Sequence, residues 1–229
     1  MKILTFSYDD GITQDIRLAE LFHKYGMKAT FNVNSGLLGK ERELTRNGVT
    51  FRHDKVKPEN VKHIYAGHEV AAHSLTHPHL PEQTDEEIIR QVEEDRLALS
   101  ALCGYEVVGF AYPGGGVNYN SHVAKVIREH TGVRYARTTV ASGNFERQEN
   151  LFEFKPSVHH FPDWDKVFAM GERFLSLPAD TDALFYVWGH GYELDINKDW
   201  DRFEEFLQFM ANKKDVHYLT NKDALLRKE

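Results

Sequence analysis

Two adjacent carboxylates near the amino terminus are the first residues whose types and spacing suggest chemistry. Asp9 and Asp10 directly follow an apolar segment at residues 2–8, and Gly11 allows the chain to turn sharply after them. Adjacent residues that leave a strand point in different directions, so one carboxylate could bind a metal ion while the other accepts a proton. An acidic turn at the start of the next helix is the competing interpretation of this motif alone.

Three histidines within seven residues form the second group. His73, His77 and His79 belong to a chain with 13 histidines, and histidine is the commonest metal ligand in proteins. His73 and His77 are four residues apart, a spacing that on a helical turn places both imidazoles on one side. With Asp10 they form a set of three ligands, which leaves open coordination positions for water and substrate. We therefore predict a catalytic divalent metal site, with zinc as the first choice and cobalt, nickel or iron as alternatives. A polar loop carrying surface histidines is the competing interpretation.

A further histidine, His190, follows a predicted strand at residues 183–188. A histidine at the end of this strand could protonate a leaving group, opposite Asp9 as the base. A lone histidine after a strand more often has a structural role, so this assignment depends on the other two groups.

Short apolar segments alternate with amphipathic ones along the chain. The predicted strands are residues 2–8, 29–33, 68–72, 107–112, 135–139, 183–188 and 216–219. The predicted helices are residues 14–25, a short one near 59–65, 84–102, 121–130 and 200–210, and residues 37–60 are predicted as a long loop. This alternation predicts one α/β domain over residues 1–229, with a parallel sheet that is open or closed into a barrel. In such folds the chemistry lies beyond the carboxyl ends of the strands, where all three groups occur.

The composition excludes several classes of protein. Lys and Arg number 28 against 35 Asp and Glu, a net charge of −7, which argues against binding to nucleic acid or to an anionic membrane surface. The single cysteine, Cys103, rules out an intramolecular disulfide and a cysteine-rich metal site. The sequence has neither an export signal nor an apolar run long enough to span a membrane, so we expect a cytoplasmic protein. An exported chain trimmed of its leader would look the same, and the sequence does not indicate an oligomeric state.

Together these motifs resemble the polysaccharide deacetylases, also called the NodB-like domain or carbohydrate esterase family 4. Residues 7–11 (Ser-Tyr-Asp-Asp-Gly) resemble the family's S/T-F/Y-D-D-G motif, and residues 73–77 match its H-S/T-x-x-H motif. Residues 110–115, 163–164 and 184–190 resemble its third to fifth motifs more loosely. The resemblance implies an incomplete or distorted (β/α) barrel of about seven parallel strands. It also implies a metal-dependent hydrolase that removes small acyl groups from a carbohydrate.

Carried over residue by residue, the resemblance implies that Asp9 is the general base and His190 the general acid. It assigns the metal to Asp10, His73 and His77. Asp163 is then the candidate carboxylate that keeps His190 cationic. The candidate contacts to the substrate or its oxyanion are Tyr112, Gly114, Trp164 and Trp188.

The sequence departs from the family pattern in three places. The arginine that pairs with the base in the third motif is replaced by Ala111, and we hypothesise that Arg137 orients Asp9 instead. Gly114 stands where the family has a tyrosine, and Trp188 predicts a tight pocket suited to formyl or acetyl groups. Two other functions stay open: hydrolysis of a small cyclic amide or formamide at the same metal site, and carbohydrate binding without catalysis.

Overall fold

The computed structural model describes residues 1–46 and 48–227. The strands in these residues are β1 (Lys2–Asp9), β2 (Ala29–Val33), β3 (Glu43–Arg46), β4 (Val49–Arg52), β5 (Glu69–Ala72), β6 (Gly109–Ala111), β7 (Tyr135–Arg137), β8 (Val158–His159), β9 (Ala183–His190) and β10 (Val216–Tyr218). The helices are α1 (Asp15–Lys24), α2 (Val61–Ile64), α3 (Asp85–Cys103), α4 (Ser121–His130), α5 (Trp164–Ser176), α6 (Gly191–Asn197), α7 (Trp200–Met210) and α8 (Asn221–Leu225). None of these helices has the length and apolar character needed to cross a membrane.

Seven parallel strands follow one another across the main sheet in the order β7-β6-β5-β2-β1-β9-β8. The short strand β10 pairs in parallel with the start of β1. A single parallel bridge between Arg137 and Phe154 brings the segment before β8 beside β7, at the opposite edge of the sheet. The sheet is thus an incomplete barrel, which confirms the predicted fold class.

Strand β1 lies in the interior of the sheet, between β2 and β9. All eight residues of β1 are buried, as expected for a parallel strand covered on both faces. Aromatic side chains fill the space between the sheet and the outer helices; Phe6, for example, contacts Phe22 and Phe206. This packing holds the carboxyl end of β1 at one rim of the barrel, between the ends of β2 and β9.

The predicted loop at residues 37–60 is wrong in part, because it contains the antiparallel hairpin β3–β4. The dipeptide Asn47-Gly48 between the two strands is a common hairpin signal in sequences. The hairpin packs on α6, where the ring of Phe51 stacks on that of Tyr192 at 4.9 Å between centroids. Residues 53–55, which follow the hairpin, therefore lie beside the end of β1. The elements β8, α5, α6 and α8 were also missing from the prediction.

Candidate active site

The turn after β1 separates the two adjacent carboxylates. Asp9 is the last residue of β1 and lies in register with Asn32 of β2 and His190 of β9. Asp10 has a φ of 87° and Gly11 a φ of 60°. A Cβ on Gly11 would lie 2.8 Å from a methyl carbon of Val33, so only glycine fits here. As a result Asp9 and Asp10 face different groups of side chains.

Asp10 faces the two histidines of the second motif. Its Oδ1 lies 3.9 Å from His73 Nε2 and 3.7 Å from His77 Nε2. His73 Nδ1 donates to the carbonyl of Ala111 at 2.8 Å, so its Nε2 lone pair points toward Asp10. Burial lowers the pKa of His73 to about 4, which keeps this imidazole neutral at neutral pH. The three residues thus present one carboxylate oxygen and two imidazole nitrogens to a common point.

The chain between the two histidines is not helical, contrary to the prediction. Ser74 and His77 have φ values of 65° and 63°, in the left-handed region. Non-glycine residues in this region are uncommon and cluster at functional sites. The loop therefore brings the rings together by two left-handed residues and not by one helical turn.

Two residues that the sequence analysis missed, His53 and Lys55, lie on the other side of Asp10. His53 Nε2 is 3.0 Å from Asp10 Oδ2, and Lys55 Nζ is 3.5 Å from Asp10 Oδ1. Lys55 also donates to Asn34 Oδ1 at 3.1 Å. Burial opposes ionisation of Asp10, but Lys55 and the hydrogen bond from His53 hold its pKa well below the usual range. Asp10 is therefore a carboxylate held in one orientation.

Asp9 is held by a buried arginine from the end of β7. Arg137 is fully buried and forms an ion pair with Asp9 Oδ1. Asn32 Nδ2 donates to the same oxygen at 2.7 Å. Burial opposes ionisation of Asp9, but the guanidinium of Arg137 and nearby histidines lower its pKa below the usual value. Asp9 Oδ2 is directed at His190, whose Nε2 lies 3.9 Å away.

Glu193 supplies the carboxylate beside His190. Its Oε1 is 3.1 Å from His190 Nδ1, and its Oε2 accepts from the His190 backbone N–H at 2.8 Å. His159 and His160 each place Nε2 3.0 Å from the same Oε2. Burial acts against a cation at His190, but Glu193 outweighs it and raises the pKa of His190 to about 9. His190 is therefore an imidazolium at neutral pH, with its Nε2 facing Asp9.

The sequence profile of the polysaccharide deacetylase family matches residues 1–136, which include Asp9, Asp10, His73 and His77. The chain belongs to the polysaccharide deacetylase family.

Solved structures support the barrel as the family fold. The Xyl-CE4 domain of a multidomain xylanase from the hindgut metagenome of Trinervitermes trinervoides has a TM-score of 0.61 at 15% identity, over 98% of this chain and 90% of that one. The T48 deacetylase with substrate has a TM-score of 0.61 at 15% identity, over 98% and 91% of the two chains. A CE4 family pseudoenzyme from Bacillus anthracis has a TM-score of 0.57 at 18% identity, over 98% and 66%.

Other matches are more limited. A polysaccharide deacetylase from Bacillus cereus matches 59% of this chain, and the match spans 40% of its own length. A search of the curated proteins found no match. At these identities the structural similarities show the fold alone.

In this member of the family, Asp163 does not contact His190 as predicted. It is the N-cap residue of α5, where its Oδ1 accepts from the backbone N–H of Lys166 at 3.1 Å. A carboxylate at a helix N-terminus satisfies an N–H that has no partner within the helix. Glu193 takes the place beside His190. Glu193 is the third residue of α6, and its carboxylate reaches back to the backbone N–H of His190, the N-cap residue.

Two predicted substrate contacts lie in the interior. Trp164 is 5% exposed and packs against Phe203 and Phe206. The ring of Tyr112 is fully buried against Tyr119, and its hydroxyl donates to a backbone carbonyl. The backbone N–H of Tyr112 donates to the carbonyl of the last residue of β7 at 3.0 Å, so it cannot serve an oxyanion. The predicted roles of Trp164 and Tyr112 are therefore wrong.

The structure does not contradict the predicted substrate or oxyanion contacts of Trp188 and Gly114. The Trp188 ring lies between His159, at 4.2 Å between centroids, and the guanidinium of Arg137, at 4.5 Å. Its indole N–H is buried and finds no acceptor in residues 1–46 and 48–227. Gly114 has a φ of 83° and open space around it, in the loop after β6. A contact to substrate or oxyanion remains a prediction for both residues.

Proposed function

We propose that this protein is a metal-dependent hydrolase that removes an acetyl group, or a similarly small acyl group, from an amino sugar or another acetylated carbohydrate. The observation that carries the proposal is that two groups of side chains lie on the two sides of the turn after β1. Asp10 faces His73 and His77, while the adjacent Asp9 faces His190. A metal-binding triad beside an opposed carboxylate and imidazolium is what acyl hydrolysis by an activated water requires.

Asp10, His73 and His77 fit a divalent metal ion. Two ligands of tetrahedral zinc lie about 3.4 Å apart, given metal–ligand distances of about 2.1 Å. The spacings of 3.7 and 3.9 Å around Asp10 Oδ1 are close to that value. When bound there, the metal would polarise the acyl carbonyl and lower the pKa of a bound water. The same donors also suit cobalt, nickel or iron.

Two side chains of the protein, Asp9 and His190, accept and donate the protons of the reaction. Arg137 and Asn32 occupy Asp9 Oδ1, which leaves Oδ2 to accept a proton from the attacking water. His190 donates its Nε2 proton to the departing nitrogen or oxygen of the sugar. Trp188 is kept as a candidate substrate contact because its indole N–H has no hydrogen-bond partner within the described residues, although it is buried in this structure.

Metal analysis combined with acetate release separates the three candidate functions. The purified protein is assayed for bound metal and for acetate released from N-acetylglucosamine oligomers, before and after chelation and metal replacement. Bound metal with metal-dependent acetate release supports the proposal. Bound metal without acetate release from acetylated sugars favours an amide or formamide hydrolase. Absence of both favours a carbohydrate-binding relative without catalysis.

Replacing Glu193 with glutamine is expected to move the alkaline limb of the pH–rate profile to lower pH by at least about one unit. Glu193 raises the pKa of His190 to about 9, so its loss leaves the imidazolium to deprotonate at lower pH. Since the acid form of His190 is required, the rate falls as pH rises through this pKa. The measurement is kcat/KM between pH 6 and pH 10.

The matched control is Asp163→Asn, because Asp163 is the carboxylate that the sequence suggested for this role. Asparagine caps a helix as well as aspartate does, so α5 keeps its N-cap. The alkaline limb of Asp163→Asn is expected to match that of the wild type. An unchanged limb in Glu193→Gln would contradict the assignment of Glu193.

Replacing Arg137 with glutamine is expected to lower kcat at least about tenfold and to destabilise the fold by about 3–5 kcal/mol. The physical reason is that a buried carboxylate, Asp9, loses its counter-charge and its fixed orientation. Acetate release gives kcat, and urea unfolding gives the free energy. Arg137→Lys, which keeps the charge, should recover part of both. A folded Arg137→Gln variant with an unchanged kcat would exclude a role in orienting the base.

A further inference from the structure

A cavity of about 520 Å³ opens beside the candidate metal ligands, and its walls are basic. Asp10 and His77 form its inner end. The segment before β3 and strand β3 itself form the outer wall, where the exposed residues Lys40, Arg42 and Arg46 lie. The cationic side chains that line the cavity are Lys40, Arg42, Arg46 and Lys55, and the acidic ones are Asp10 and Glu41. This excess of positive charge contrasts with the net charge of −7 of the whole chain.

The acidic groups of the lining already have partners. Asp10 contacts Lys55 and a histidine, and Glu41 lies 3.2 Å from Arg52. The other three cations, Lys40, Arg42 and Arg46, have no such partner in the part of the chain that the structure describes. Within residues 1–46 and 48–227, no carboxylate oxygen lies within 4.0 Å of their side-chain nitrogens. The outer wall of the cavity therefore presents cations without a counter-charge of their own.

Arg46 is fixed in place at the rim. Its guanidinium lies over the ring of Tyr192 at 4.9 Å, and it donates to the Tyr192 hydroxyl at 2.6 Å. The Tyr192 ring in turn packs against the ring of His190, with 4.8 Å between centroids. A guanidinium has five N–H donors, so this hydrogen bond leaves others for a ligand. Arg46 is thus held on the same rim as the proposed general acid.

We propose that the acylated sugar carries an anionic group, a carboxylate or a phosphate, which Arg46, Arg42 and Lys40 bind while the acyl group lies at Asp10 and His77. This inference rests on the proposed hydrolase function and names its substrate class. Arginine pairs with carboxylate and phosphate through two parallel hydrogen bonds, which orient the ligand as well as attract it. A cleft lined by one sign of charge also raises the local concentration of oppositely charged ligands.

Three sugars test the inference with the metal-loaded protein: neutral N-acetylglucosamine, N-acetylglucosamine 6-phosphate and N-acetylmuramic acid, which carries a carboxylate. We expect kcat/KM for at least one anionic sugar to exceed that for the neutral sugar at least about tenfold, and this ratio to fall with rising salt. A higher value for the phosphorylated sugar identifies phosphate as the group recognised, and a higher value for the other identifies carboxylate.

Two arginine variants assign the preference to the cavity. Arg42→Gln and Arg46→Gln are each expected to reduce the ratio of anionic to neutral kcat/KM at least about fivefold. Arg42 is exposed, so its variant should fold even if Arg46→Gln does not. Arg134→Gln is the matched control, because Arg134 is an exposed arginine just before β7, at the other end of the barrel. Equal kcat/KM for all three sugars, or an unchanged ratio in the arginine variants, would overturn the inference.

The anion site can be tested separately if the proposed hydrolase function is wrong. If no sugar releases acetate, calorimetric titration of the same three sugars still tests the cavity. Anionic sugars that bind at least about tenfold tighter than the neutral one, with the difference lost in Arg42→Gln, would support the anion site alone. Equal or undetectable binding of all three sugars would overturn it.

Discussion

Asp9→Asn is expected to lower kcat about 10³-fold while leaving the bound metal unchanged. Asparagine keeps the size of the side chain and an oxygen for Arg137 and Asn32, but it cannot accept the proton from the attacking water. Asp9 does not face His73 and His77 as Asp10 does, so the metal ligands are untouched. Acetate release by stopped assay and elemental analysis of the same sample measure the two quantities.

Asp15→Asn provides a matched carboxylate control. Asp15 is buried in α1, and burial raises its pKa to about 8, so it is largely protonated at pH 7. Replacing a neutral carboxylic acid with an amide changes no charge at that pH, and Tyr65 can still donate to the new oxygen. Asp15→Asn is expected to retain wild-type kcat. If Asp9→Asn retained it as well, Asp9 would not be the base.

His77→Asn is expected to weaken zinc binding at least about 100-fold and to lower kcat/KM in proportion at limiting metal. Loss of an outer-shell partner alone typically costs 10–100-fold in metal affinity, and a direct ligand contributes more. Asparagine tolerates the left-handed backbone at this position, where φ is 63°, so the loop keeps its path. Competition with a chromogenic zinc chelator measures the affinity.

The control for this variant is His79→Asn, two residues further along the same loop. His79 Nε2 donates to the carbonyl of Val117 at 2.8 Å, and its Nδ1 is 3.2 Å from Glu82. It therefore faces away from the candidate metal centre. We expect wild-type zinc affinity in His79→Asn, and equal affinities in the two variants would disprove the proposed ligand set.

Much of the site could be predicted because its residues directly follow apolar strands. The carboxyl ends of parallel strands meet at one rim, so Asp9 and His190, far apart in the sequence, had to converge if both segments were strands of one sheet. The same reasoning placed Arg137 at the rim, and the structure shows it beside Asp9. The order of apolar strands and amphipathic helices was enough to place these residues at one rim, because the carboxyl ends of parallel strands lie on the same side of the sheet. Their roles came from the family resemblance, and Arg137 was proposed because the family arginine is replaced by Ala111.

The hairpin that carries His53 and Lys55 could not be placed in the same way. Its strands are short and mostly exposed, and within the part of the chain that the structure describes they pair only with each other. The apolar pattern that marks a core strand is therefore weak there. Their contact with Asp10 depends on how the hairpin packs against α6, a long-range contact between segments about 140 residues apart. No local pattern encodes that packing.

The sequence by itself determined the chemistry available to this protein: a carboxylate pair, two histidines and a third histidine at strand ends of an α/β barrel. The sequence also suggested Arg137 as the partner of Asp9, but only the tertiary structure decided the other neighbours that tune those groups. Glu193, and not Asp163, is the carboxylate that favours the protonated form of His190. Glu193 lies at the start of α6, directly after β9, whereas Asp163 caps α5. Periodicity tells which face of an element is buried, but which side chain reaches a given atom depends on the angles at which distant elements pack.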